Sequence, residues 1–370
     1  MLIVAFVALN FMFAIRTPVR LGGDSGDYLA DAKRIRQGQF PSEGRFANVG
    51  YSALIVFSQS CGAGLIGLVG FQIALAALAA AAVFDVARRL QGRWTGIIAV
   101  SALSANPDIV RWHTFILTDS LYTSFVVLAV WAIHSVERKR RWTWVLAILI
   151  LLLTTLLRPN GWLFPPIAAC FWLSRYLGGR HAAVISLVIV AMFMTGVVLL
   201  LTIWPGLSLS SVDANFREGR VVWGDPATYI VMPADEAGTG KGLVSVLGYV
   251  GRHPVASFRL MSFRVAAELG HVRAFYSAGH NLVIAVVLIP MYLLAVVGLF
   301  VTRHESLARL LVAVIAGHLV VVALTWADWD GRFLLYVFPL IGIFAACGLV
   351  RLVQGRIARS GLTSSGLAVT

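Results

Sequence analysis

Long apolar stretches, separated by short connections rich in arginine, restrict most strongly how this chain can fold. A helix of about 17–25 mainly apolar residues can cross a bilayer, and a shorter run needs flanking residues to do so. About ten such stretches follow one another along the 370 residues. They cover residues 2–15, 65–87, 94–107, 120–136, 142–157, 162–176, 182–204, 281–301, 307–325 and 333–353. We therefore predict an all-α integral membrane protein with about ten transmembrane helices.

The composition supports this fold class and excludes others. Hydrophobic residues make up 59% of the chain and charged residues 13%, whereas soluble domains have about 45–50% and about 25%. A net charge of +13 would suggest nucleic acid for a soluble protein, but here the basic residues lie between apolar runs. Anionic lipid headgroups or a phosphorylated ligand therefore fit better than nucleic acid. Cys61, Cys170 and Cys347 lie far apart without a zinc-site spacing, so we expect them to pack in the membrane.

Basic clusters occupy every second connection between the apolar runs. Arg88, Arg89 and Arg93 form one cluster, and residues 138–141 form the next. Because translocation across the membrane disfavours lysine and arginine, we predict that these connections and both termini are cytoplasmic. The protein is then a multi-pass protein of the cell membrane.

We divide the chain into three parts, since it shows no repeat of fixed period and no separate soluble domain. The parts are a transmembrane module of residues 1–204 with a first extracytoplasmic loop at 16–49, a second extracytoplasmic loop at 205–280, and residues 281–370 with the last transmembrane helices and a short cytoplasmic tail.

The second long loop contains a predicted amphipathic helix. Val255, Phe258 and Met261 recur near helical spacing, which favours a helix lying on the membrane surface. This segment is either a lid over a site or a plain connector. We expect its basic residues to point towards lipid headgroups: Arg252, Arg259, Arg264 and Arg273.

Carboxylates stand out at the predicted outer side because the chain has only 17 acidic residues. Asp24 and Asp27 lie in the stretch Gly-Asp-Ser-Gly-Asp-Tyr that follows the first apolar run, and Asp119 lies at the outer end of the fourth predicted span. A carboxylate in such a place can take a proton from an attacking hydroxyl group. Asp24 and Asp119 are therefore candidate catalytic residues, although Asp119 could instead cap the helix that follows it.

Two arginines lie at further outer ends of predicted spans. Arg158 precedes Pro-Asn-Gly, and Arg332 follows Asp-Gly. A charge at such a place is costly unless it is paired or functional, and a guanidinium suits phosphate oxygens. Both arginines could also reach up to headgroups, and His113 is more typical of an interfacial residue than of a ligand. A base together with a cation for a departing phosphate predicts glycosyl transfer from a lipid-phosphate donor.

These motifs resemble the GT-C superfamily of polytopic membrane glycosyltransferases. The closest branch contains the dolichyl-phosphate-mannose protein mannosyltransferases and the lipid A aminoarabinose transferase. Residues 24–40 look like the family's first extracytoplasmic loop, in which an Asp is followed by a Tyr and a helix that ends in Gly. Gly50-Tyr51 looks like the Gly-Tyr-Pro that ends this loop, with Ser52 in place of the proline.

Three more motifs follow in the family's order. Thr118-Asp119 is similar to the Thr-Glu or Thr-Asp that enters the fourth span, and residues 158–161 are similar to an Arg-Pro-Glu-Gly motif, with Asn160 where an acid is usual. Residues 332–339 resemble an Arg-Tyr-Leu-Leu-Pro-x-x-Pro motif. Each motif alone is weak, but five in the family's order match the superfamily strongly. They do not indicate any single substrate within it.

The resemblance implies a GT-C type fold, in which membrane spans and membrane-surface helices surround the site. It also implies a polyprenyl-phosphate-linked sugar as donor and an inverting transfer to an extracytoplasmic lipid, glycan or protein. Asp24 then takes the role of the catalytic carboxylate, supported by Tyr28, while Asp27, Tyr51 and His113 are further supporting residues. The donor phosphate is assigned to Arg332 and Arg158.

A cofactor and a rival function stay open at this point. Some relatives bind a divalent metal ion and others do not, and Asp24, Asp119 and His113 could furnish ligands. The rival is a transporter or flippase of an anionic lipid-linked substrate. Such proteins usually place ionisable groups or broken helices near the membrane midplane, whereas the candidates here lie at the ends of predicted spans.

Overall fold

The computed structural model describes residues 2–17, 19–42, 48–137, 139–177, 179–203, 210–225, 227–234 and 243–359. Parts of the predicted loops 16–49 and 205–280 and of the predicted cytoplasmic tail lie outside these residues. The described chain is helical nearly throughout, and its two strands have two residues each. The predicted all-α class is therefore confirmed.

Nine α-helices lie within the described residues of the first half of the chain. Pro159 starts a short 3-10 helix over Pro159–Leu163, which separates the eighth α-helix from the ninth. The α-helices are α1 (Leu2–Arg16), α2 (Ser25–Arg36), α3 (Val49–Ser60), α4 (Gly64–Gln91), α5 (Arg93–Ser104), α6 (Pro107–Trp112), α7 (Thr118–Ser135), α8 (Arg141–Leu157) and α9 (Phe164–Tyr176).

The described part of the second half contains seven α-helices and the two strands. They are α10 (Gly179–Ile203), α11 (Ser210–Arg217), β1 (Val222–Trp223), α12 (Leu243–Arg252), α13 (Pro254–Gly270), α14 (Ala278–Thr302), α15 (Ser306–Leu324), β2 (Ala327–Asp328) and α16 (Arg332–Arg359). β1 and β2 pair in parallel, with Val222 opposite Ala327 and Trp223 opposite Asp328.

In the part of the chain that the structure describes, four helices are long and apolar enough to span a membrane: Gly64–Gln91, Ala278–Thr302, Ser306–Leu324 and Arg332–Gly355. Within the described residues, Leu2–Arg16, Arg141–Leu157 and Ala183–Phe193 are apolar but shorter. The chain therefore has the helices of a multi-pass membrane protein, while the predicted number of ten spans is not confirmed. Several predicted spans, such as 94–107 and 162–176, are cut short by an early helix end or a proline.

α16 is the central helix of the described bundle. Its residues Leu335–Ala346 are buried almost without interruption, against α4, α5, α7 and α14. α14 instead exposes many apolar side chains, as a helix facing lipid does. The two helices cross closely because Gly298 of α14 lies against the carbonyl of Phe344, and Gly348 of α16 lies against the carbonyl of Leu294. A side chain at either glycine would push the helices apart.

A second, smaller core holds the segment between α10 and α14 together. It joins Phe216, Val222, Tyr249 and Leu260 to Ala327 in β2, which precedes the last helix. The β1–β2 pair adds backbone hydrogen bonds to this contact, including Ala327 N–H to the Val221 carbonyl at 3.0 Å. The segment is thus fixed to the residues that lead into α16.

The predicted amphipathic helix is present as α13, and it exposes Val255 and Phe258. The expectation that the arginines of this segment point to headgroups is wrong for Arg264 and for Arg273, which are 0% and 2% exposed. The guanidinium of Arg264 donates to the backbone carbonyls of Arg220, Asn215 and Ala323 at 2.8–3.2 Å. Three carbonyls satisfy its donors, so the arginine joins the segment to the helix before β2 instead of reaching lipid.

Candidate functional site

The predicted first loop is attached to the residues that enter α7. Arg20 donates its N–H to the Thr114 carbonyl at 2.9 Å and accepts from Ile116 at 3.0 Å. The Ser25 hydroxyl donates to the carbonyls of Gly22 and Ile116. Gly23 has φ +50, a conformation that favours glycine. These contacts place Asp24, at the start of α2, next to the entrance of α7.

Asp24 faces Arg332 across this junction. Their side chains approach to 3.6 Å between Asp24 Oδ2 and Arg332 Nη1, and the Asp24 side chain is 52% exposed. Arg332 is held from behind by the buried Asp328, whose Oδ1 accepts from Nη2 at 3.0 Å and from Nε at 3.3 Å. Asp328 Oδ2 accepts the backbone N–H groups of Arg332 and Asp330. One carboxylate therefore fixes the guanidinium, and the other meets it from the open side.

A second pair lies at the entrance of α7. Asp119 Oδ1 accepts from Arg158 Nη1 at 2.8 Å and from the hydroxyl of Tyr336. Arg158 Nη1 also donates to the Thr118 hydroxyl at 2.9 Å, and its guanidinium lies over the Tyr336 ring. The Asp119 side chain is 1% exposed, and its Oδ2 has no partner among the described residues. The predicted Asp119 and Arg158 thus form one buried ion pair.

Tyr28 lies within reach of charges from both pairs, Asp24 with Arg332 and Asp119 with Arg158. It is buried, and burial raises the pKa of its hydroxyl, which is also sensitive to the charges of Arg158, Asp119 and Asp24. The Tyr28 ring packs edge to face on Tyr51, with ring centroids 5.2 Å apart. Burial likewise raises the pKa of Tyr51 well above its ordinary value. Both tyrosines therefore stay protonated and act as hydrogen-bonding groups in the wall of the site.

His113 and Asp27 lie at the edges of this arrangement. His113 Nδ1 is 2.6 Å from the Ser120 hydroxyl, next in sequence to Asp119, and burial lowers the pKa of His113 to about 4. A neutral imidazole held in this way supports the start of α7. Asp27 is exposed on α2. No group of three or more His, Cys, Asp or Glu side chains in the described residues could hold a metal ion, so Asp24, Asp119 and His113 do not form the ligand set considered above.

Two site residues escaped prediction from the sequence. Tyr336 lies within the motif 332–339 and Asp328 lies four residues before Arg332, but neither position carried a recognisable signal of its own. Asp328 is found only once the turn before α16 is known, because the turn directs its carboxylate back to Arg332.

Glu268 of α13 is a further buried carboxyl group close to Asp328. Its Oε2 accepts the Asp328 N–H at 3.1 Å. Burial is the main cause that raises the pKa of Glu268 to about 8; the Asp328 charge acts in the same direction, and the Asp328 N–H and the Arg273 charge oppose it. The folded protein thus binds a proton at Glu268 over a pH range in which the unfolded chain has released it.

This shift predicts that stability falls between about pH 4.5 and about pH 8, because the native state holds the proton more tightly than the unfolded state. Glu268→Gln is neutral throughout and should remove that fall. At about 1.4 kcal/mol per pKa unit, the wild type should lose a few kcal/mol relative to Glu268→Gln on going from pH 5 to pH 8. Thermal unfolding of both proteins at the two pH values, in one detergent, measures it.

The exposed Glu305 provides the control. Glu305→Gln should change with pH as the wild type does. An equal pH dependence in Glu268→Gln and the wild type would contradict a raised pKa at Glu268.

Comparison with known proteins gives a family match and a fold match. Residues 52–204 match the family model of dolichyl-phosphate-mannose-protein mannosyltransferases. The fold resembles an archaeal oligosaccharyltransferase, AglB from Archaeoglobus fulgidus, in complex with an inhibitory peptide and a dolichol-phosphate (TM-score 0.53, 13% identity). The oligosaccharyltransferase of the same organism in its apo form gives a TM-score of 0.52 at 12% identity. Both alignments cover 100% of this chain and 52% of the other. No curated protein matches the chain.

These findings confirm the resemblance to GT-C type membrane glycosyltransferases. The family match includes α3 from Ser52 onward, the entrance of α7 and Arg158, but not the first loop, Tyr51 or α16. The solved structures support the fold of the whole described chain, and this chain spans about half their length. The family match is limited to residues 52–204, and the solved structures show the fold alone, so the reaction is argued from the site.

Proposed function

We propose that this chain transfers a sugar from a polyprenyl-phosphate-linked donor to an acceptor on the extracytoplasmic side of the membrane, with inversion at the anomeric carbon. The observation that carries the proposal is the approach of Asp24 to Arg332, beside the buried pair of Asp119 and Arg158. A proton acceptor and two fixed cations are thereby placed at one end of the helix bundle.

Differences in exposure separate the roles of the three carboxylates. Asp119 and Asp328 are buried, and each accepts hydrogen bonds from an arginine at 3.0 Å or less. Their charges are already used to hold those arginines. Asp24 is half-exposed and only 3.6 Å from Arg332, so an acceptor can reach its carboxylate. We assign Asp24 as the general base, and we assign Asp119 to the positioning of Arg158.

The reaction then proceeds as a single displacement. Asp24 takes the proton of the acceptor hydroxyl while that oxygen attacks the anomeric carbon. The bond from this carbon to the phosphate oxygen breaks, and its electron pair leaves with the polyprenyl phosphate. Negative charge develops on that phosphate, where Arg332 and Arg158 stabilise it as preorganised, charged hydrogen-bond donors. The donor phosphate takes the place of Asp24 at Arg332 Nη1, the nitrogen that does not bind Asp328, and this frees the base.

A purified preparation tests this function against the rival of a transporter or flippase. In nanodiscs that contain a polyprenyl-phosphate sugar, a transferase releases free polyprenyl phosphate in step with glycosylated acceptor. A flippase moves the donor between leaflets without breaking it. Movement of intact donor with no release of polyprenyl phosphate would refute the proposed reaction.

Arg332→Ala should weaken binding of the carrier phosphate. Loss of a hydrogen bond to a charged group costs about 1.5–3 kcal/mol, which corresponds to roughly tenfold to a hundredfold in affinity. Arg332→Lys should restore only part of it, because an ammonium lacks the planar fork. Affinity for polyprenyl phosphate in nanodiscs is the measurement.

Removal of Arg332 also leaves Asp328 without its guanidinium, so each variant needs a thermal unfolding midpoint. Arg332→Gln, which can still donate to Asp328, separates loss of charge from loss of fold. Arg309→Ala, an exposed arginine at the start of α15, should bind like the wild type. If Arg332→Ala does so too, Arg158 becomes the better candidate for the phosphate.

A further inference from the structure

A long apolar groove runs along α13, beside the proposed catalytic site. One cavity of about 530 Å³ lies between residues 221–231 and α13. A second cavity of about 370 Å³ shares Ile230, Val231 and Arg259 with it and extends to His253 at the start of α13. The two cavities adjoin, and we call them together the α13 groove.

The walls of the α13 groove are mainly apolar. Val222, Ile230, Phe263 and Val272 line its first part. Val231 at the junction of the two cavities is 95% exposed and Val255 in the second part is 81% exposed. Hydrocarbon packed against these side chains would remove them from water, and each fully buried side chain of this kind contributes about 1.5–3 kcal/mol. The groove therefore suits a hydrocarbon chain.

Asp225 supplies an acidic group in the lining of the first cavity. Its side chain lines the first cavity, and the residue is only 6% exposed. Oδ1 accepts the Ala227 N–H at 2.9 Å, whereas Oδ2 is buried without a partner in the described part of the chain. A buried carboxylate oxygen without a donor is costly, so this oxygen needs a donor from a ligand. A phosphate has no hydrogen to donate to this oxygen and carries the same sign of charge, so it cannot satisfy Oδ2 even though Arg259 and Arg273 line the same cavity.

Arg273 connects the groove to the proposed site. It lines the first cavity and donates to the Asp328 carbonyl at 2.6 Å and to the Trp329 carbonyl at 3.3 Å. The Asp328 carboxylate in turn holds Arg332. Arg273 therefore lies between a molecule in the groove and Asp328, and Asp328 fixes Arg332, the proposed phosphate-binding arginine.

We propose that the α13 groove binds the acceptor, and that the acceptor is a lipid whose head carries a hydroxyl or ammonium donor and no phosphate next to Asp225. This inference rests on the proposed function and names its acceptor class. The hydrocarbon chain lies along α13, and the head donates to Asp225 Oδ2. A soluble peptide would leave the long apolar part of the groove unfilled.

Photolabelling in nanodiscs without any sugar donor tests the groove independently of turnover. The probes are a diacylglycerol with a diazirine in one acyl chain and the phosphatidic acid with the same chain. In the wild type, the diacylglycerol should label peptides from residues 221–231 and 254–273, and at least tenfold more strongly than the phosphatidic acid. Asp225→Asn should reduce this preference about tenfold, as expected for a lost hydrogen bond to a charged group.

Matched variants separate the groove from general effects. Glu218→Gln removes an exposed acid of the same segment and should label like the wild type. Phe263→Ser, a change at a half-exposed wall residue, should reduce labelling by both lipids. Asp24→Asn should label like the wild type. If the wild type labels as expected but transfers no sugar from any polyprenyl-phosphate donor, the proposed function is contradicted and the groove is not.

Three outcomes would overturn the inference. They are equal labelling by the two lipids in the wild type, an unchanged preference in Asp225→Asn, and labelling of the groove by a diazirine-bearing serine peptide in place of the diacylglycerol. The last outcome would assign the groove to a protein acceptor.

Discussion

Replacing Asp24 by asparagine should lower sugar transfer by about 10²–10⁴-fold, the usual contribution of a general base. Asparagine keeps the shape of the side chain and cannot take the acceptor proton. The Asp24 side chain is half-exposed, so the variant should unfold at nearly the wild-type temperature. The turnover of a polyprenyl-phosphate sugar at saturating donor is the measurement.

The matched control is Asp27→Asn, three residues further along on the exposed side of α2. It should retain most of the activity. Carrier-phosphate affinity in Asp24→Asn should equal that of the wild type or exceed it slightly, because Arg332 loses a competing partner. Full activity in Asp24→Asn, or equal losses in both variants, would rule out Asp24 as the base.

Removal of Asp119 should have the largest effect on stability. Asp119→Ala leaves the guanidinium of Arg158 without its carboxylate, although that side chain is 13% exposed. Breaking a buried ion pair on one side typically costs about 3–5 kcal/mol. The Tyr336 hydroxyl loses its acceptor at the same time. Chemical or thermal unfolding in detergent should show a loss of this size.

A double variant separates stability from function. Asp119→Leu combined with Arg158→Met replaces the pair by apolar side chains, which is often neutral for stability, and should recover much of the loss without recovering transfer. Arg88→Ala, which breaks an exposed pair with Asp85, should cost no more than about 1 kcal/mol. A similarly small cost for Asp119→Ala would show that the Asp119 pair does not stabilise the fold.

The sequence predicted the helical class better than it predicted the number of spans. Asp24, Asp119, Arg158 and Arg332 lie far apart in sequence, yet the structure brings them to one end of the bundle. This was predictable because charged residues at the ends of apolar runs are rare and costly. Their roles in catalysis stay predictions.

Which carboxylate pairs with which arginine could not be predicted from the sequence. Asp24 meets Arg332 only because the Arg20 backbone bonds to residues 114–116, and a hydropathy pattern carries no information on such a contact. The burial of Arg264 was missed for a related reason. An arginine on an amphipathic helix usually faces water, and only the positions of three distant carbonyls reverse this.

The hydrogen bonds from Arg332 to Asp328 should lower the entropy that is lost when the donor binds. A free arginine side chain loses up to about 2 kcal/mol of rotational freedom when it is fixed. Here Nε, Nη2 and the backbone N–H of Arg332 are already bound to one buried carboxylate, so this loss occurs when the protein folds. A phosphate then meets a guanidinium that has little freedom left to lose. Carrier binding should accordingly be driven more by enthalpy in the wild type and carry a larger entropic penalty in Asp328→Ala, where Arg332 is free to rotate.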